Sequence, residues 1–152
     1  VLMSKAEADK RGKKPLATLM AWAMASGHPD KIASIPAESA RIALEKAGMT
    51  IDQIDLVEIN EAFAAVVLTS TLVLAGKDPK KAEAIRAKTN VNGGAIALGH
   101  PTGATAARMI MTIMFELRRR RKAAGDTRPY YGLVSICGGI GEGEAVIVKV
   151  DN

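Results

Sequence analysis

Three side chains stand out for the chemistry that their types allow: Asn60, His100 and Cys137. An amide can hold a water or an oxygen atom, an imidazole exchanges a proton near neutral pH, and a thiol acts as acid, base or nucleophile once its pKa is tuned. Asn60 heads the run Asn60-Glu61-Ala62-Phe63, His100 sits in Gly99-His100-Pro101, and Cys137 precedes Gly138-Gly139. Each also has a plainer reading. Asn60 suits the N-cap of the apolar helix after it, Cys137 a small core position, and His100 a loop satisfied by backbone carbonyls. Gly93, Gly94 and Gly99 suit turns with positive φ. Residues 138–143 have the glycine content of a phosphate cradle, but they join strand to strand and offer no helix N-terminus. The other histidine, His28 beside Pro29, reads as an exposed loop residue and receives no role.

The elements that must position these groups follow from periodicity and chain breakers. Residues 1–3 read as a strand end and 5–11 as a charged helix. Residues 16–25 are ambiguous: Ala and Met favour helix, while Leu16, Thr18, Met20, Trp22 and Met24 alternate as in a strand. Residues 36–47 predict a helix with Ala37, Ala40, Leu44 and Ala47 on one face, Pro36 in its first turn and Gly48 as its stop. A buried strand over 55–59 follows, with Asn60 at its carboxyl end. Residues 61–75 are apolar nearly all round, which predicts a helix inside the core that stops at Gly76. A short charged helix runs from Asp78 to about Lys88. Residues 90–103 carry five glycines and prolines and are expected to be irregular. A long helix then aligns Ala106, Met109, Ile110, Ile113, Met114 and Leu117 on one stripe. Strands over 131–137 and 145–150 close the chain, with Cys137 ending the first. This alternation predicts an α/β fold with a mixed sheet. Open α/β sheets bind ligands at strand carboxyl ends, where Asn60 and Cys137 fall.

Composition narrows the classes. The chain has 152 residues, 48% hydrophobic and 24% charged, which suits one domain, or two small ones, and argues against disorder. A single cysteine excludes an intramolecular disulfide and any multi-cysteine metal site, so a reducing, cytoplasmic setting is expected. No run reaches the roughly 18 apolar residues of a membrane span. The net charge of +5 belongs to the run Arg118, Arg119, Arg120, Arg121 and Lys122; the rest of the chain has 16 charges of each sign. One basic knot and 3% aromatics suit a helix C-terminus better than a nucleic-acid face.

Taken together, three segments resemble the thiolase family. They are Asn60-Glu61-Ala62-Phe63, the stretch from Asn90 to Thr105 containing Gly99-His100-Pro101, and Gly132-Leu133-Val134-Ser135-Ile136-Cys137-Gly138-Gly139. They match, in order, that family's Asn-Glu-Ala-Phe, Gly-His-Pro and Cys-x-Gly motifs, and only in its C-terminal part. The first motif separates the chain from ketoacyl synthases, which use a second histidine there. Ala106 and Ile140 depart from the usual glycines without removing a reacting group, and residues 77–89 look longer than in compact biosynthetic relatives.

The resemblance implies a thiolase-like C-terminal domain over residues 15–152, with 1–14 as remnant of a preceding domain or linker. It also implies a five-stranded mixed sheet with helices on both faces. His100 is implied to activate a nucleophilic cysteine and to help hold the thioester oxygen. Asn60 is implied to hold a water that completes that oxyanion site. Cys137 is implied as the acid/base at the α-carbon, and the Gly139 backbone N–H as donor to a second oxyanion hole. The substrates implied are acyl-CoA and 3-ketoacyl-CoA thioesters, as in fatty acid metabolism, with no cofactor and no metal. The nucleophile would lie in an N-terminal half, on the same chain or a separate one, so the chain alone is expected to be inactive. A homo-oligomer is expected of the complete enzyme, and neither nucleic acid nor membrane is an expected partner. The competing class is a non-catalytic thiolase-like module that binds acyl-CoA or scaffolds an assembly.

Overall fold

The structure, a computed structural model, describes residues 1–151; Asn152, the last position of the expected domain, lies outside them. Its elements are α1 (Lys5–Lys10), β1 (Thr18–Ser26), α2 (Ile35–Ala47), β2 (Leu56–Ile59), α3 (Ala64–Leu74), α4 (Pro79–Ala87), α5 (Ala95–Leu98), α6 (Thr105–Ala124), β3 (Tyr130–Cys137) and β4 (Glu142–Val150). The strands form one mixed sheet in the order β1-β4-β3-β2, with β2 parallel to β3 and β4 antiparallel to both of its neighbours.

The sheet has four strands where five were expected. The fifth has shrunk to a single parallel bridge between Val57 and Thr89, closed by Val57 N to Lys88 O at 2.9 Å and Asn90 N to Val57 O at 2.9 Å. Asn90 then turns away with φ +49°, and its side chain takes over the ladder. Its Oδ1 accepts from Ile59 N and its Nδ2 donates to Ile59 O, each at 2.9 Å. A side-chain amide thus satisfies the backbone groups that a longer strand would have paired.

Strand alternation assigns the two faces. Val57, Ile59, Leu133, Ala145, Ile147 and Ala23 pack with residues of α2, α3 and α4. Leu56, Val134, Val146 and Val148 pack with Met109, Ile113 and Leu117 of α6. Helices therefore cover both faces, as expected. The long apolar stripe of α6 is the seam, and a Cβ at Gly132 would stand 2.7 Å from Ile113 Cδ1, so that side chain would have to shift.

Several local expectations change. Residues 1–3 carry no strand, and residues 90–103 contain the one-turn helix α5. The ambiguous segment is an edge strand: Ala23 faces α2, while Trp22 and Met24 point to the other side and stay exposed. Helix α3 is not buried all round. Val66, Ser70 and Thr71 pack inward, but Leu68 and Leu72 face outward, because α2 and α4 cover only one side of it. The basic run closes α6 as expected, with Gly125 left-handed after it. Arg119 and Arg120 grip Glu116, 6% exposed, at 2.6 and 2.7 Å. The Arg119 hydrogen bond foremost, helped by Arg120 and Asn92, holds that carboxyl down to about 2.

Candidate active site

Parallel pairing brings two of the three singled-out side chains to one edge. Ile59 lies opposite Ser135, and Asn60 N continues the ladder to Ser135 O at 3.0 Å, so Asn60 and Cys137 leave the sheet together at the ends of β2 and β3. The loop after Asn90 then carries His100 back to the same place. Two ties fix that loop: the Asn90 amide on Ile59, and Glu61 Oε2, which accepts from Ile96 N at 2.9 Å. Gly94 passes so close that a Cβ there would collide with the Glu61 carboxylate.

His100 ends beside Asn60, with Nε2 3.3 Å from Asn60 Nδ2. Asn60 is 1% exposed, and its Oδ1 has no protein partner among the described residues. The capping reading of Asn60 therefore fails: α3 starts at Ala64, its N-cap is Phe63, and no side chain caps it. His100 itself is exposed, with its other nitrogen 2.7 Å from Thr105 Oγ1.

Cys137 is half-buried at the last position of β3. Burial pushes its thiol up from 9, opposed by the backbone N–H groups of Cys137 and Gly139. Gly139 has φ +101°, a conformation that L side chains rarely adopt, and nothing lies within 4 Å of where its Cβ would be. The turn is tighter than expected, since β4 begins at Glu142 and Gly138 N donates to Glu142 O at 2.8 Å. The structure gives the loop no helix N-terminus, as read from the sequence. The His28 side chain pairs with Asp30, at 2.9 Å, in an exposed turn.

Behind Asn60 lies a group that sequence reasoning missed. Glu58 points to the same face as Asn60, is 2% exposed, and leaves Oε2 unpartnered; Arg108 on α6 leaves Nε and Nη1 unpartnered among the described residues. Burial pushes the Glu58 carboxyl up to about 7, with Arg108 opposing and Glu61 adding. The visible signal was a carboxylate inside the apolar strand Leu56-Val57-Glu58-Ile59.

A raised carboxyl pKa means that the folded chain holds a proton the unfolded chain has released, between pH 4.5 and about 7. That contribution is fully present below pH 4.5 and is lost as pH rises through 7. Glu58→Gln, which cannot ionise, should therefore stabilise the chain by about 1–3 kcal/mol at pH 8 and by about nothing at pH 4.5. Urea unfolding at the two pH values checks this, and an equal effect at both would contradict a buried titrating carboxyl.

Comparison with known proteins follows the same outline. The sequence model of one family, described as thiolase, C-terminal domain, matches residues 13–150. The acetyl-CoA acetyltransferase of Syntrophomonas wolfei is 42% identical over 98% of this chain and 34% of its own length. The mouse protein named acetyl-CoA acetyltransferase, cytosolic, is 40% identical over the same shares. Among solved structures, the Bacillus anthracis acetyl-CoA acetyltransferase superposes with a TM-score of 0.81 at 36% identity, over 97% of this chain and 34% of that one. The chain thus spans about a third of the length of the relatives it matches.

Proposed function

The chain belongs to the thiolase family through its C-terminal domain, and on that premise we propose that it supplies the proton-transfer half of a thiolase active site. The reaction is the interconversion of two acyl-CoA molecules with a 3-ketoacyl-CoA and free coenzyme A. The observation that carries this reading is the meeting of Asn60 and His100 at 3.3 Å on the sheet edge where Cys137 ends its strand. A module that only binds has little need of a base, an amide and a thiol together at the carboxyl end of one sheet.

In the first half of the reaction, His100 takes the proton of a nucleophilic cysteine outside this chain, and the thiolate attacks the thioester carbonyl. The oxygen that gains charge is held by His100 Nε2–H and by a water on Asn60, whose free Oδ1 supports that role. Coenzyme A leaves with the proton. In the second half, Cys137 removes an α-proton from another acyl-CoA, and the carbanion attacks the acyl-enzyme. Gly139 N–H donates to the second oxyanion, and the open space at its Cβ position leaves room for an acyl oxygen. A thiol whose pKa is raised by burial is protonated at rest, which suits it to return a proton to the carbanion in thiolysis.

Cys137 is the only cysteine, so the nucleophile comes from an N-terminal half, on this polypeptide or another. Apolar side chains left outward support such a partner: Leu68 and Leu72 on α3, Met111 and Phe115 on α6, and Trp22 on β1. Residues 1–14 then serve as linker, and 15–152 as the domain. A homo-oligomer of the complete enzyme in the cytoplasm, acting on coenzyme A thioesters without a further cofactor, completes the proposal. The name of the mouse relative supports the location. The chain alone should cleave acetoacetyl-CoA no faster than its Cys137→Ala variant. Clear turnover that disappears in Cys137→Ala would overturn the absent-nucleophile reading.

A further inference from the structure

Thr105 has no part in the steps above, yet its hydroxyl touches the ring that performs them. We propose that Thr105 is a positioning residue that holds the His100 ring hydrogen on Nδ1 and so reserves Nε2 for the thiol proton; this rests on the thiolase reading.

With the Asn60 amide oriented Nδ2 toward the ring, the hydrogen bonds leave one consistent arrangement. Asn60 Nδ2 carries only donors, so at 3.3 Å His100 Nε2 must accept. A neutral imidazole with an accepting Nε2 has its hydrogen on Nδ1. That hydrogen points to Thr105 Oγ1 at 2.7 Å, so the hydroxyl oxygen accepts. Its own hydrogen goes to Pro101 O, 3.0 Å away. Thr105 is 0% exposed, and its backbone N–H also donates to Pro101 O at 3.0 Å. The hydroxyl is therefore fixed at the first position of α6 and shielded from competing water.

The same contact serves both charge states of the ring. When Nε2 takes the thiol proton, Nδ1–H remains bonded to Oγ1, while the contact with Asn60 Nδ2 gives way and the new Nε2–H turns to the oxyanion. One tautomer thus permits both duties assigned to His100, base first and oxyanion donor second. Its alternative, hydrogen on Nε2, would block the first duty.

Thr105→Val keeps the shape and removes the acceptor, while Thr105→Ser keeps the acceptor. In the complete enzyme Thr105→Val should lower kcat about 10- to 100-fold with KM within about threefold, and Thr105→Ser should restore kcat to within about threefold. In the chain with 15N-labelled histidine, two-bond proton–nitrogen spectra should show a protonated Nδ1 and an unprotonated Nε2 on neutral His100. A His28→Gln variant assigns the signals, since it leaves one histidine. In Thr105→Val the population should move toward Nε2–H. A ring protonated on Nε2 with Thr105 in place would overturn the proposal without recourse to any Thr105 variant. So would an unchanged tautomer and kcat in a folded Thr105→Val. If the tautomer behaves as stated but His100→Ala leaves turnover intact, the contact of Thr105 with the ring stands, and the thiolase reading fails together with the catalytic purpose of that contact.

Discussion

Replacing His100 by alanine in the complete enzyme should lower kcat for acetoacetyl-CoA thiolysis by at least about a thousandfold. The size follows from two duties lost at once. A positioned general base is worth about 10²–10⁴ and one oxyanion donor about 10²–10³, and the two overlap because they use the same nitrogen. The proposed mechanism places both in the first half of the reaction, so acyl-enzyme formation from acetyl-CoA should fall together with turnover. Rapid quenching of the enzyme with labelled acetyl-CoA reads that step directly. Asn60 would remain in place, since it is 1% exposed and its backbone is bonded to Ser135, so the loss would not reflect a collapsed site. Turnover within tenfold of the parent would show that another group carries the proton.

Cys137→Ala should be as severe in turnover and different in kind. In the proposed mechanism Cys137 acts at the α-carbon, so its removal should lower condensation and thiolysis by about a thousandfold or more while the acyl group still reaches the nucleophile. The acyl-enzyme should then accumulate in Cys137→Ala and be missing in His100→Ala. Burial raises the pKa of this thiol, so condensation, which needs the thiolate, should speed up with rising pH until the thiol has titrated. The product of condensation at high and low pH, with the acyl-enzyme measured in parallel, checks both statements. Loss of acyl-enzyme in Cys137→Ala would mean that the two proton transfers are not divided between these residues.

Much of this was legible in the residues, and the gaps have physical causes. The α6 stripe was readable because its apolar positions repeat at helical spacing and meet a sheet: Met109, Ile113 and Leu117 are buried, Ile110 and Met114 half-buried, and only Ala106 of the stripe is exposed. Helix α3 misled because an apolar surface reports what a helix can bury, not what this chain has available to bury it. Leu68 and Leu72 await a cover that the described residues do not provide. The segment with Trp22 was ambiguous because an edge strand is buried on one face only, so alternation and helix propensity pointed apart. The expected fifth strand became one bridge at Thr89, since a single asparagine side chain at Asn90 can close the ladder.

The site was legible as motifs and not as geometry. Asn60 and His100 were both named, but 40 residues separate them, and only the ties through Asn90 and Glu61 bring the loop back. Thr105 lay inside the quoted stretch and passed unremarked, because a threonine opening a helix is ordinary until its hydroxyl is seen 2.7 Å from the imidazole. Glu58 was visible as a charge in an apolar strand, and its meaning depended on Arg108 lying across from it on α6.

The most direct test joins this chain to the N-terminal two thirds of a relative such as the Syntrophomonas wolfei acetyl-CoA acetyltransferase and follows acetoacetyl-CoA thiolysis by the folded fusion. The fusion should turn over where the chain alone does not, and His100→Ala or Cys137→Ala within it should each abolish turnover. A folded fusion that works equally well without His100 and Cys137 would show that this domain does not supply the proton-transfer groups.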